Sequence, residues 1–173
     1  GFVVLAVSLG LSSCLDSGSG SDPLLQLLQD VETIDSYLAS QGKTAVEDVN
    51  GIRMVITELG TGLPAVLTNK VDVDHVGRLF TTGAIFDQGN TASLITNYIQ
   101  GWQIALSTLP VGSKATVYIP PYWGYGDSPV GTIPANSILV FDIVFNEVVA
   151  TSAELQRLGA DTVAIDNYLT SKS

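Results

Sequence analysis

Apolar residues recur along the chain at two spacings, and each predicts a different element. Leu24, Leu27, Leu28, Val31, Ile34 and Leu38 fall on one face at helical spacing, with Asp22 placed to cap the first turn, Pro23 inside it and Gly42 placed to close the end. Past Asn50 the period shortens to two. Gly51 to Glu58 alternates as a strand and stops at the Gly60-Thr61-Gly62 turn; Lys70 to Phe80 is a second strand. Thr81-Thr82-Gly83 turns, Ala84 to Asp87 re-enters the sheet, and Thr91 to Thr96 reads as a further short strand. Gln100 to Leu106 returns to helical spacing, and Pro110-Val111-Gly112 turns again. Ser113 to Ile119 and the β-branched, aromatic run Ser137 to Val149 are the last strands. Pro120 and Pro121 stop the first of these, because neither can donate a ladder hydrogen bond. The pattern therefore predicts a sheet, one short helix and a helical lead-in.

Composition narrows the class. With 173 residues and 46% apolar content, the chain has room for one globular domain plus extensions. A net charge of −10, with its seven cations scattered, argues against nucleic acid, which demands clustered lysine and arginine. His75 is the sole histidine, so a histidine-cluster metal site is ruled out. A lone histidine is more often a hydrogen-bonded core residue than a functional one.

The first 13 residues, GFVVLAVSLGLSS, are apolar or small, too short to span a bilayer and similar to the apolar core of a secretory signal. Leu11-Ser12-Ser13-Cys14 resembles a bacterial lipobox, in which the cysteine is acylated and the signal is cut just before it. Cys14 is the only cysteine, which excludes an internal disulfide; the bland alternative is a small hydrophobe in a buried helix. The expected organisation is a signal over residues 1–13, a lipidated cysteine and flexible tether over 14–22, a helical lead-in over 23–49, a domain over 50–149 and a helical tail over 150–173. The lead-in has two readings, a dimerisation or docking helix and a helix packed on its own domain, the commoner use of an amphipathic segment. The tail echoes it. Asp30, Ile34, Asp35, Tyr37, Leu38 and Ser40 recur as Asp161, Ile165, Asp166, Tyr168, Leu169 and Ser171, as the start of a second repeat would or as two amphipathic helices can by chance.

Three stretches carry a family resemblance: VDVDHVGRLFTTGAIFDQG from Val71, GWQIALSTLPVGSKATVYIPPYWGYG from Gly101, and TIPANSILVFDIVFNEV from Thr132. Together they resemble the FKBP-type peptidyl-prolyl cis-trans isomerases, over about Asn50 to Val149. The resemblance implies an α+β fold, a bent antiparallel sheet half wrapped around one short helix. It implies rotamase activity on X-Pro bonds with no cofactor and no metal, and as partners proline-containing peptides, unfolded exported proteins and the family's macrolide inhibitors. With the lipobox, the expected location is the bacterial cell envelope, held to a membrane through Cys14.

Residue roles follow from the same resemblance. Trp102 would be the floor under the proline ring, Phe86 and Phe141 walls, and Ile133 part of a covering loop. Tyr125 would give its hydroxyl to a substrate carbonyl, the Ile99 backbone N–H would give a second bond, and Asp87 would sit on the rim. Trp102, Phe86 and Phe141 can equally be core filling, as aromatics usually are. Three features depart from the family pattern: His75 replaces a usual tyrosine, which implies a weakened rate, Tyr98 replaces a smaller aliphatic residue, and Asn90 to Asn97 lacks the phenylalanines that often complete the pocket there. Three functions follow: a lipid-anchored isomerase, a weakly catalytic or non-catalytic peptide-binding chaperone module, and an envelope scaffold. Keeping Trp102, Tyr125, Phe86, Asp87 and Phe141 together speaks against the scaffold.

Overall fold

A computed structural model of the chain describes residues 22–149, together with 160–163, 167 and 170. The proposed signal, Cys14 and the tether up to Ser21 lie outside the described residues. The lead-in is a helix, α1 (Pro23–Ser40), whose Asp22 side chain accepts a hydrogen bond from the Leu24 N–H. Its far end closes as the sequence predicts. Gly42 takes φ 61°, its N–H reaches the Ala39 carbonyl, and the Lys43 N–H reaches the Leu38 carbonyl.

Six antiparallel strands follow: β1 (Val46–Glu47), β2 (Arg53–Glu58), β3 (Lys70–Leu79), β4 (Ile85–Leu94), β5 (Lys114–Ile119) and β6 (Leu139–Val149), in sheet order β1-β2-β5-β6-β3-β4. Two expectations need correction. The helical lead-in does not extend to residue 49, because 46–47 pairs with Met54 and Arg53 as an edge strand. The stretch 84–96 is not two strands with a gap. It is one strand to Leu94, turning through a 3-10 segment at Ile95–Asn97. Gly89 at φ 144° and polar Gln88 and Asn90 hid its continuity, since an edge strand needs neither alternation nor β-branched residues on its open side.

The second helix, α2 (Gln100–Thr108), lies in the concave face of the sheet. Gly101, Trp102, Ala105 and Leu106 are its buried positions, one stripe of the helix. A Cβ on Gly101 would fall 2.4 Å from Ile119 Cγ2, so glycine sets how closely α2 approaches β5. Val71, Val73, Val117, Leu139, Ile143 and Phe145 close the core beneath it.

The convex face is covered by α1. Ile34 and Leu38 are buried there against Tyr118 and Ile138, each worth about 1.5–3 kcal/mol by area removed from water. Tyr37 meets Phe80 edge-on with ring centres 5.0 Å apart. Arg53, with a side chain only 8% exposed, is held by Asp35 through Nε at 2.7 Å and Nη2 at 2.9 Å. Thus, of the two readings of α1, packing on its own domain describes its C-terminal half. Leu24, Leu25 and Leu28 at the other end stay exposed.

Candidate functional site

A cavity of about 260 Å³ opens between the N-terminus of α2 and strands β3 and β4. Trp102, in the first turn of α2 and 5% exposed, lies against it. The concave pleat of β3 and β6 supplies the walls. Phe141 stands edge-on to Trp102 at 5.2 Å between ring centres, and Phe86 edge-on to Phe141 at 5.5 Å. Gly77 makes this possible, because a Cβ there would sit 2.7 Å from Phe141 Cε1 and 2.8 Å from Phe86 Cε2.

His75 is on the same face of β3, two residues from Gly77. Asp87 pairs with Gly77 across β4, diagonal to His75 and within reach of its ring. His75 Nε2 lies 3.1 Å from Asp87 Oδ2, so the imidazole does meet the rim carboxylate. The ring is 7% exposed, edge-on to Trp102 at 5.3 Å, and its Nδ1 is buried with no hydrogen-bond partner among the described residues. Asp87 itself is exposed, as a rim group should be.

Tyr98 lies tilted over Trp102 at 5.0 Å, and its hydroxyl shares a 3.1 Å hydrogen bond with Thr91 Oγ1. The backbone then turns into α2 at Ile99, which caps the helix without a side-chain bond. The Ile99 carbonyl accepts from Trp102 and Gln103, while its N–H makes no hydrogen bond among the described residues. Gln103 reaches back to the Tyr98 carbonyl at 2.8 Å and fixes this turn. Ile99 thereby lines the cavity beside Trp102 with its N–H unpaired among the described residues.

Tyr125 reaches the cavity from the loop after β5. Pro121 opens a 3-10 turn there, and Trp123 Nε1 donates to the Asn50 carbonyl at 2.6 Å, tying the loop to the start of β2. Burial, and secondarily the negative charge of Asp87, push the Tyr125 phenol above its ordinary range, so its hydroxyl keeps its proton and stays a donor.

Seven of the expected site residues therefore line one cavity: His75, Asp87, Tyr98, Ile99, Trp102, Tyr125 and Phe141. Phe86 stands behind Phe141, and Ile133 is buried in the main core cluster and not on the cavity lining. Thr91 and Asn97 also line it, in the segment that lacks the family's phenylalanines, though neither was given a role of its own from the sequence. For Thr91 the missed signal was parity, since it sits four residues beyond Asp87 on the same face of the same strand. A larger open depression of about 750 Å³ on the sheet has Thr57, Lys114, Thr116 and Asp142 on its walls and no aromatic floor.

A family model described as FKBP-type peptidyl-prolyl cis-trans isomerase matches residues 62–146. This chain carries an FKBP-type domain. It is similar to the FKBP-type peptidyl-prolyl cis-trans isomerase FkpA of Aeromonas hydrophila, 34% identical over 116 residues, covering 63% of this chain and 43% of that protein. The chain thus spans less than half of that relative. Among solved structures, the FKBP-type domain is similar to FkpA from Escherichia coli, at TM-score 0.63 and 26% identity, covering 73% of this chain and 61% of that one. A peptidyl-prolyl cis-trans isomerase from Pseudomonas syringae aligns at TM-score 0.62 and 29% identity, over 77% of this chain and 100% of that one.

Proposed function

We propose that this protein is a peptidyl-prolyl cis-trans isomerase acting on X-Pro bonds of exported proteins in the cell envelope. The observation that carries the reading is one cavity with an indole floor, a free backbone N–H and a protonated phenol at its edge. An X-Pro bond crosses a barrier of about 18–20 kcal/mol without chemistry at any nucleophile. A catalyst has only to bind the twisted amide better than either planar form. The proline ring on Trp102, walled by Phe141, strips water from the amide carbonyl. The planar form, whose resonance separates charge, then loses more solvation than the twisted one. The Ile99 N–H and Tyr125 hydroxyl hold flanking carbonyls so that only the prolyl bond turns.

Macrolide inhibitors of the family would enter the same apolar site. Anchoring is part of the proposal and rests on the Leu11–Cys14 lipobox: acylated Cys14 would hold the domain to a membrane through the 15–22 tether. A second reading, a peptide-binding module with little rate, is favoured by one feature. His75 and Tyr98 both crowd Trp102 and narrow the space for a proline ring.

Proline-peptide isomerisation and peptide binding, measured side by side on wild type and Trp102→Ala, test the reading. Loss of both in the variant supports the isomerase; binding without measurable wild-type rate selects the chaperone reading, and unchanged rate in a folded variant removes the site. For the anchor, fatty-acid labelling in a bacterial host should vanish in Cys14→Ala.

A further inference from the structure

The prolyl cavity has one ionisable wall. His75 is the chain's only histidine, and its buried ring stands between a water-facing carboxylate and the indole of Trp102. At neutral pH a carboxylate only accepts hydrogen bonds, so the contact with Asp87 is a bond from His75 Nε2–H. That fixes the tautomer. The neutral ring keeps Nδ1 bare, and Nδ1 is the buried atom without a partner among the described residues.

No element packed on the ring offers that second nitrogen an acceptor. Directly across the sheet, His75 pairs with Ile143 on β6 and Gly89 on β4, and neither has a polar side chain. Phe141 and Trp102 close the ring from β6 and α2, at 6.5 and 5.3 Å between ring centres. Thr91, the other diagonal neighbour on β4, shares its hydroxyl with Tyr98. Tyr125 reaches the cavity from the loop after β5, and its phenol feels Asp87. Asp74 precedes His75 on β3, so its side chain leaves by the opposite face, where Asn90 and Asn146 hold it. Among the described residues Asp87 is thus the one charged group facing the ring, and it is 62% exposed.

A protonated imidazole carries two N–H donors. One can stay on Asp87; the other points into the aromatic wall with nothing to accept it. Rotating the ring by half a turn exchanges the nitrogens and leaves the same orphan. The charged ring therefore needs water at its second nitrogen or has to leave Trp102. Either change wets the surface on which a proline ring would lie.

We propose that His75 is a positioning residue that acts through Trp102: neutral, it keeps the prolyl cavity closed and dry, and protonated, it opens it. Peptide affinity and isomerase rate then fall together in acid. The proposal rests on the isomerase reading of this cavity. An imidazole titrates between about pH 5 and 8. The closed site excludes a proton from His75, so a bound peptide favours the neutral ring by the factor with which the proton weakens the peptide.

The full chain, wild type and His75→Gln, is assayed from pH 5 to 8 for isomerisation of a proline peptide and for binding of that peptide. Glutamine keeps an N–H for Asp87 and has no charge to gain. Because the chain has one histidine, its ring protons give a single NMR titration. In wild type, kcat/KM should fall about tenfold per pH unit below the ring's midpoint. Saturating peptide should lower that midpoint by about one pH unit, the equivalent of tenfold weaker binding to the charged ring. Tryptophan emission should move to longer wavelength as the ring charges. All these responses should be flat in His75→Gln; should that variant fail to fold, His75→Tyr replaces it, since a phenol stays neutral over this range. Rate and affinity independent of pH, or a ring that titrates with no change in tryptophan emission, overturn the proposal. A wild type without measurable rate at any pH refutes the isomerase reading alone. The gate is then upheld by acid-weakened binding with the emission shift, and overturned by their absence.

Discussion

Adding one methyl group at Gly77 should disturb both the fold and the site. The new Cβ would fall 2.7 Å from Phe141 Cε1 and 2.8 Å from Phe86 Cε2 and Cζ, all inside the distance that carbon atoms tolerate. Neither ring can yield alone, because Phe86 rests edge-on against Phe141 and Phe141 against Trp102. Two effects oppose each other in Gly77→Ala. Alanine restricts the unfolded chain and gains about 0.4–1 kcal/mol. Overpacking a filled core costs about 1–3 kcal/mol. Taken at the middle of both ranges the clash wins, leaving a net loss of about 1 kcal/mol, or a fall in Tm of roughly 4–8 °C for a domain of about 100 residues. Differential scanning calorimetry reads the fall, and proline-peptide isomerisation should drop with it as the cavity walls shift. Adding Phe86→Leu, which removes both Phe86 contact atoms, should recover part of the loss, so the two substitutions will not be additive. A Tm equal to or above that of wild type in Gly77→Ala would refute the packing argument.

Four further outcomes are expected. Tyr125→Phe should slow isomerisation about tenfold, the equivalent of one hydrogen bond of ~1.4 kcal/mol, and the wild-type rate should show no alkaline loss through this phenol below its ordinary range, because its folded pKa is raised. His75→Tyr should raise the rate in the same assay, since it restores the hydroxyl the family pattern places opposite Asp87. Asp30 is pushed up by burial, only partly offset by its bond from Gln26, so its charge opposes folding above its folded pKa and the penalty disappears as pH falls below it; Asp30→Asn should therefore raise Tm at pH 7 and lose that advantage in acid. Asp35→Ala should cost more than Arg53→Met, about 1–3 kcal/mol against under 1 in urea melts, because the first leaves a buried guanidinium with the Ile52 carbonyl at 3.4 Å and Glu47 at 3.8 Å while the second removes the charge.

The sequence alone determined what depends on local chemistry. The cap at Asp22, the closure at Gly42 and the strand stop at Pro120 are set by a few neighbouring atoms, and all three are legible in the residues that make them. Period-two alternation likewise revealed the strands with one face in the core, β2, β3, β5 and β6. It failed on β4, whose open edge imposes no such pattern, and on the two-residue β1, which exists only because β2 offers it a partner. The aromatic site residues were legible through a family resemblance and not through spacing. The tertiary structure decided the rest. Only the diagonal register of β3 against β4 brings His75 to Asp87, and only the fold sets Ile99 beside Trp102 on the cavity lining, next to the bond from Gln103 to the Tyr98 carbonyl. The same holds for α1. Its amphipathic face foretold burial, but the choice of surface came from Arg53, a lone cation in an alternating strand until Asp35 is folded against it. These contacts join residues far apart in the chain, and no local periodicity encodes which distant partner a side chain will meet.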